Sequence, residues 1–502
     1  MNNNISNLIS TLSEHVDLGH SKRDDAFLRQ VQSMCMNPGK TACGGAADPA
    51  AVMSAYRFAS NPKASLEDLR SARMSATLSN IEDGETVLLI NDISLLDYCS
   101  HESKEDRRCI GDGKGKGYEY NCNLAVSLER EQVLGVLHDC VISAEGPDDT
   151  DEVDYFDTPL VEKLPEKSIA KLPCNHKHAI TVHALHVTRK APEVKFISTA
   201  DREFDDYFHF YALKQAGMDA VIRSCAQRNV QFIRPDWFPE EELSARQAGL
   251  PLRPGYSFVN MKRLTEHIPL THLKSVYLDG KGRLTDKGAH AEEIPVSAGA
   301  CRVTLYRQAK RDKVYVKPFD YVELNVVVVK ESSPRENSKH INWVLFTTLP
   351  VDTTEQINRV VRIYELRWQI ECFFKLLKSG FGLEDLRYNN AQKTARHLVV
   401  TTIAATFISA LKSSVGLGPG TKLDDETYSK LKHASKNLND SSIDIRLRLF
   451  VFIARQGKWL GYRRNGISPL MLMKGLTKTL YMLMMMNSMS NFFLEAAQFL
   501  KE

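Results

Sequence analysis

Two kinds of apolar pattern alternate along this chain. Short continuous runs of strand length come first: Thr86–Asp92 (TVLLIND) and Phe196–Asp201 (FISTAD), each ending in a carboxylate. Runs apolar at every position suit strands buried on both faces. Leu124–Leu128 and Val133–Val141 read as neighbouring strands around the polar turn Glu129–Glu131, preceded by a flexible turn at Gly111–Gly117. After Asp201 comes a helix and then another strand, Ala220–Arg223. From about 228 to 350 the pattern changes to alternating β-branched residues and turns, with strands expected at Val303–Leu305, Val314–Val316, Tyr321–Val329 and Trp343–Thr348.

Helical periodicity dominates elsewhere. Residues 1 to about 80 read as short helices with polar loops. Val361–Lys378 (VRIYELRWQIECFFKLLK) carries two stripes. At about 100° per residue, Leu366, Ile370, Phe373 and Leu377 fall at roughly 180–240° and suit a core. Tyr364, Arg367, Glu371 and Lys378 fall within a separate sector about 60° wide. That sector sets one carboxylate among two cations and a phenol. A carboxylate can hold a hard metal ion, and arginine and lysine can grip phosphate oxygens. Leu398–Leu411 is apolar but too short to span a bilayer, so it suits a buried helix.

Composition narrows the classes. The chain has 502 residues, 43% hydrophobic and 25% charged, with a net charge of +3. That length suggests about two to four globular domains. So small an excess of positive charge places any nucleic-acid contact in local patches. The best patch is Arg302, Arg307, Lys310, Arg311, Lys313 and Lys317, interleaved with Tyr306 and Tyr315; a solvated edge strand reads almost as well. Ten scattered cysteines without CxxC pairs fit reduced thiols. The N-terminus lacks the basic and apolar regions of a signal peptide, and a cytoplasmic location is expected.

Several motifs fail on inspection. Asn37–Thr41 (NPGKT) lacks the glycine that a phosphate-binding loop needs at position 34, which is Met34. Cys174, His176 and His178 alternate on one possible strand face, but a fourth ligand and zinc spacing are missing. No nucleophile-elbow motif appears. Glu145–Asp157 reads as a solvated acidic loop.

The spacing Y-x2-R-x3-E-x6-K at Tyr364, Arg367, Glu371 and Lys378 resembles the signature of bacterial DDE transposases of the insertion-sequence-four family. LLINDISLLDY (88–98) and TADREFDDY (199–207) are similar to its two aspartate motifs; LGHSKRDD (18–25) and AYRFASNP (55–62) resemble its DNA-end-binding segment. The resemblance implies an α/β, ribonuclease H-like catalytic core at 81–384 with a β-rich insertion at about 228–350. Helical domains flank it, one for DNA-end binding at 1–80 and one for dimerisation at 385–502, where GKWLGYRRNG (457–466) and a methionine-rich run lie.

It also implies that Asp92, Asp201 and Glu371 are catalytic ligands of two Mg2+ or Mn2+ ions. Asp97 competes with Asp92 as the first carboxylate, and the motif match favours Asp92. Tyr364, Arg367 and Lys378 would hold DNA phosphates, and Arg223 would stand near a flipped nucleotide. Trp343 would stack a displaced base, the alternative being a core tryptophan. The implied activity is cut-and-paste transposition of double-stranded DNA by a synaptic homodimer. A non-catalytic DNA-binding descendant and a plain ribonuclease H-like nuclease are the competing readings.

Overall fold

The computed structural model describes residues 2–36, 49–148, 187–224, 227–245, 252–278, 292–306, 321–333 and 340–414. The Cys174–His178 cluster, most of the basic patch, the strand expected at Val314–Val316 and the tail from 415 lie outside the described residues.

Four helices open the chain: α1 (Asn2–Ser13), α2 (Ser21–Met36), α3 (Pro49–Ala59) and α4 (Leu66–Leu78). Ser65 caps α4 by accepting from the Asp68 N–H, with Glu67 and Asp68 in the first turn facing the positive end of the helix. Strands β1 (Thr86–Asp97), β2 (Arg108–Ile110), β3 (Gly115–Ser127), β4 (Val133–Ser143), β5 (Gly146–Pro147) and β6 (Lys195–Ala200) follow. Next come α5 (Tyr207–Gln215), β7 (Asp219–Arg223), β8 (Asn229–Phe232), β9 (Ser257–Asn260), α6 (Met261–His267), β10 (Thr271–Leu278), β11 (Glu292–Tyr306), β12 (Tyr321–Glu331) and β13 (Asn342–Thr347). Helices α7 (Thr354–Leu366), α8 (Trp368–Lys375) and α9 (Ala391–Ser414) complete the described chain.

The strands form one sheet in the order β5-β4-β3-β1-β6-β7-β13-β12-β11-β8-β9. β1 runs antiparallel to β3 and β3 to β4, whereas β1, β6 and β7 are mutually parallel. This central mixed sheet is consistent with the ribonuclease H-like core expected from the sequence. Two details differ from expectation. The β1 strand does not end at Asp92 but continues to Asp97 against β3. The strands of the expected insertion extend the core sheet, because β13 pairs antiparallel with β7 and β12 with β13.

Helices cover both faces. Leu88, Ile90, Leu124 and Val126 share one apolar cluster with α7, α8, α9 and the N-terminal helices. Val87, Leu89, Ala125 and Ile222 share the other with α5 and α6. Helix α9 is buried as its run of apolar residues implied, packing against β4, α2 and α4. No described helix is long and apolar enough to cross a membrane.

A buried ion cluster ties these layers together. Asp139 of β4 accepts from Arg70 Nε at 2.8 Å and from Arg73 Nη1 and Nη2 at 2.6 and 2.8 Å, both on α4. Tyr120 of β3 donates to the same carboxylate at 2.9 Å, and Arg73 also reaches Thr402 of α9 at 3.1 Å. Burial alone would push the Asp139 carboxyl up, but Arg73 and Arg70 outweigh it and hold it well below the usual carboxylate range. Arg396 of α9 adds bonds to the carbonyls of Ala64 and Ala59 at 2.8 and 3.2 Å. Removing one partner of such a cluster strands buried charge. Asp139→Ala is therefore expected to cost about 3–5 kcal/mol, read as a lower urea midpoint, and an unchanged midpoint would contradict the cluster's role.

Candidate active site

Strand register builds the site. In the parallel β1–β6 ladder Ile90 lies beside Thr199 and Asn91 beside Ala200. Side chains alternate faces, so Asp92 follows Leu88 and Ile90, and Asp201 follows Ile197 and Thr199, onto one face. Asp92 thus sits where β1 outruns β6. Asp201 stands one residue past the paired end of β6, its backbone extended, and accepts from the Glu203 N–H at 2.7 Å. In the parallel β6–β7 ladder Ala200 lies beside Ile222, so alternation brings Arg223 to the same face.

The third carboxylate arrives on a braced helix pair. A capping box between Thr353 and Gln356 starts α7. Leu366, Ile370, Phe373 and Leu377 are buried, as the apolar stripe predicted. The pair is held from outside by the turn between β3 and β4. There Arg362 donates to Glu131 Oε1 at 2.7 Å, and Gln369 Nε2 to the Glu131 carbonyl at 2.9 Å. Glu131 holds a left-handed backbone (φ 52°), a conformation uncommon outside glycine that these contacts fix in place. Lys274 of β10 adds an ion pair to Glu365 at 2.9 Å.

Arg367 is the joint between α7 and α8, so the expected single helix has an irregular turn at its most polar position. Its guanidinium bridges two of the carboxylates: Nη2 meets Glu371 Oε1 at 2.5 Å and Nη1 meets Asp92 Oδ2 at 3.5 Å. Burial pushes the Asp92 carboxyl up; Arg367 and the Ile93 N–H pull it down, and the charges of Asp201 and Glu371 push it up again, to about 7 overall. The two other carboxylates therefore lie close enough to repel it.

The remaining expected residues divide. Tyr364 and Trp343 are buried with ring centroids 5.4 Å apart at 62°, and Arg367 lies 5.8 Å over the Tyr364 ring. The indole therefore packs in the core as the structure stands, and Tyr364 leaves the solvent face of the helical wheel. Lys378, in the π-helical turn Leu376–Gly380, donates to the Leu95 carbonyl and pairs with Glu384 at 3.3 Å. Asp97 is exposed and accepts from the Cys99 N–H at 2.8 Å. Of the basic patch, Arg302 and Tyr306 are described, at pairs of the β11–β12 ladder.

Sequence reasoning missed the loop after β1. Tyr98 Oη donates to the Leu383 carbonyl at 2.7 Å, His101 Nδ1 lies 3.2 Å from the Leu386 carbonyl, and Lys104 Nζ donates to the Tyr388 carbonyl. These contacts place the segment that follows Lys378. The only sequence signal was an irregular polar stretch, CSHESKEDRR, with no period to read.

Chemically, Asp92, Asp201 and Glu371 offer hard oxygen donors of the kind Mg2+ and Mn2+ prefer. The Asp92 carboxyl is raised first by burial and further by the charges of Asp201 and Glu371, and a divalent cation would counter both effects, so the donor set fits such an ion. As the side chains stand, no three His, Cys, Asp or Glu among the described residues are arranged to hold a metal ion, and a guanidinium bridges two of the candidates.

The elevated carboxyl sets a pH dependence. A folded-state value near 7 against an unfolded one near 4 means the folded state holds the proton more tightly, so this group's contribution falls as pH rises from about 4 to 7. Asp92→Asn should therefore match the wild type in metal-free unfolding at pH 4.5 and exceed it at pH 8, by on the order of 2 kcal/mol after allowance for solvent screening. An equal difference at both pH values would contradict this assignment.

A family model described as "Transposase DDE domain" matches residues 83–407, which include β1 through most of α9 and all three carboxylates. The match spans well over half of the chain, so the chain belongs to the transposase DDE domain family.

Proposed function

We propose that this chain moves a DNA element by cut-and-paste transposition, with Asp92, Asp201 and Glu371 as its catalytic carboxylates. Membership of the DDE family supports a transposase function. The observation that supports the residue roles best is the β1–β6 register, with Asp92 and Asp201 on one face and Glu371 linked to Asp92 through Arg367.

Asp92, Asp201 and Glu371 would hold two Mg2+ or Mn2+ ions. When bound, these ions activate a water or a 3′-hydroxyl and stabilise the leaving oxygen in an in-line displacement at phosphorus. The protein's own residues orient the strand. Arg367 releases its carboxylates and presents a planar fork to a DNA phosphate, and Lys378 supplies a point charge further along the helix. Arg223, on the same sheet face, grips the backbone beside an extruded nucleotide. Trp343 offers an aromatic face to that base once Tyr364 and Trp343 separate.

In the proposed route, water opens one strand and leaves a 3′-hydroxyl. That hydroxyl attacks the opposite strand to give a hairpin, water reopens the hairpin, and the 3′-hydroxyl then joins target DNA. Two copies of the chain would pair the two transposon ends in a synaptic complex.

The test is cleavage of the element's own end sequence, recovered from DNA flanking the gene, in Mg2+ or Mn2+. Wild type is expected to nick that end and form hairpins, while Glu371→Ala still binds it and loses cleavage. Binding without cleavage by either protein would indicate a non-catalytic DNA-binding protein. Cleavage indifferent to the end sequence would indicate a plain nuclease.

A further inference from the structure

The half of β1 that pairs with β6 lacks the usual alternation that fixes a strand's register. Val87 and Leu89 on one face and Leu88 and Ile90 on the other are all fully buried. β6 likewise offers Ile197 to one face and Phe196 and Ala200 to the other. Where both faces are apolar, a slipped pairing still buries apolar groups, so hydrophobicity discriminates weakly between registers. A slip of two residues would displace Asp92 from Asp201 by ~6.6 Å along the strand.

Among the polar side chains buried in this layer, Asn123, Asn91 and Ser198 are fully buried and joined to one another in a row. Asn91 lies opposite Asn123 in the β1–β3 ladder, and the Asn123 amide donates to Asn91 Oδ1. Asn91 Nδ2 in turn donates to Ser198 Oγ of β6 at 2.9 Å. The row crosses three strands on the face that carries Leu89 and Ala200. Asn91 immediately precedes Asp92, and Ser198 lies just upstream of Asp201.

We propose that the row Asn123–Asn91–Ser198 is a register pin, a set of positioning residues that sets Asp92 beside Asp201. Its consequence for catalysis rests on the transposase reading above. The discrimination comes from the unpaired alternative. A slip of β1 by two in either direction would part Asn91 from Asn123 on β3, and one that carried Asn91 past Ala200 would also part it from the Ser198 hydroxyl, and a buried polar group without its partner is penalised. A single buried asparagine fixes pairing in coiled coils by the same logic. The row touches neither substrate nor metal, because it occupies the sheet face opposite Asp92; it acts through the backbone.

The test uses the full-length protein as Asn91→Leu, Ser198→Ala and the exchange Asn91→Ser with Ser198→Asn. Three readouts are taken: thermal unfolding, amide hydrogen exchange across 86–92 and 195–201, and Mn2+ affinity by calorimetry without DNA. Both single variants are expected to keep a cooperative unfolding transition within a few degrees of wild type. Each should nevertheless exchange faster in β1 and β6, and bind Mn2+ at least tenfold more weakly. The exchange variant should recover both properties in part.

Wild-type exchange and Mn2+ affinity in both single variants would overturn the pin. A loss of overall unfolding stability proportional to the loss of Mn2+ affinity, without recovery in the exchange variant, would also overturn it, leaving a merely structural row. If wild type itself neither binds Mn2+ nor cuts its DNA end, the transposase reading fails, and strand exchange in the variants still decides the pin.

Discussion

The register of β1 against β6 is the constraint on which the site depends. One residue of slip turns Asp92 toward the opposite face of the sheet, and two residues move it out of reach of Asp201. Everything else that shapes the site presumes this alignment. β3 holds β1 from its other edge through to Asp97, so Asp92 stays in regular strand geometry even though its neighbour on β6 has ended. The aspartate is thereby rigid on one side and accessible on the other, which suits a group that must contact a ligand without moving.

Onto this fixed pair the helix carrying Glu371 is clamped from a distance. The ion pairs of Arg362 and Lys274, and the Gln369 bond to Glu131, all lie outside the carboxylate cluster. The buried Asp139 cluster similarly fastens α4 and α9 to β4. Charge is thus used in two ways. At Asp139 it is neutralised permanently by two arginines. At Asp92 it is countered by a single arginine, and the carboxyl remains elevated to about 7. Only the second arrangement leaves room for another cation to compete.

Much of this was legible in the sequence. Apolar runs ending in aspartate located β1 and β6, and the 3.6-residue stripe located the buried face of the Glu371 helix, because both signals depend on local periodicity. The continuation of β1 past Asp92 was not legible, since Ser94 and Asp97 break the apolar run and only pairing with β3 keeps them extended. Nor was the fusion of the later strands into one sheet, which depends on β13 finding β7 across a long stretch of chain. The helical wheel placed Tyr364 with the polar group, but its ring is buried against Trp343, a tertiary contact that overrides the wheel. Lys378 shared the wheel sector of Glu371, yet the π-helical turn and Glu384 take it to the rim. The Arg367 bridge was hidden for a different reason: spacing shows that arginine and glutamate can meet, but not that Asp92 joins them.

The central claim is that Asp92, Asp201 and Glu371 form one divalent-cation site once Arg367 turns to DNA. It is tested most directly by anomalous X-ray scattering from Mn2+ in crystals of the chain bound to its transposon end. The account predicts manganese between Asp92 and Asp201 with Glu371 nearby, and the Arg367 guanidinium withdrawn onto a phosphate. Arg367 still bridging Asp92 and Glu371, with manganese bound elsewhere beside the cut phosphodiester, would contradict it.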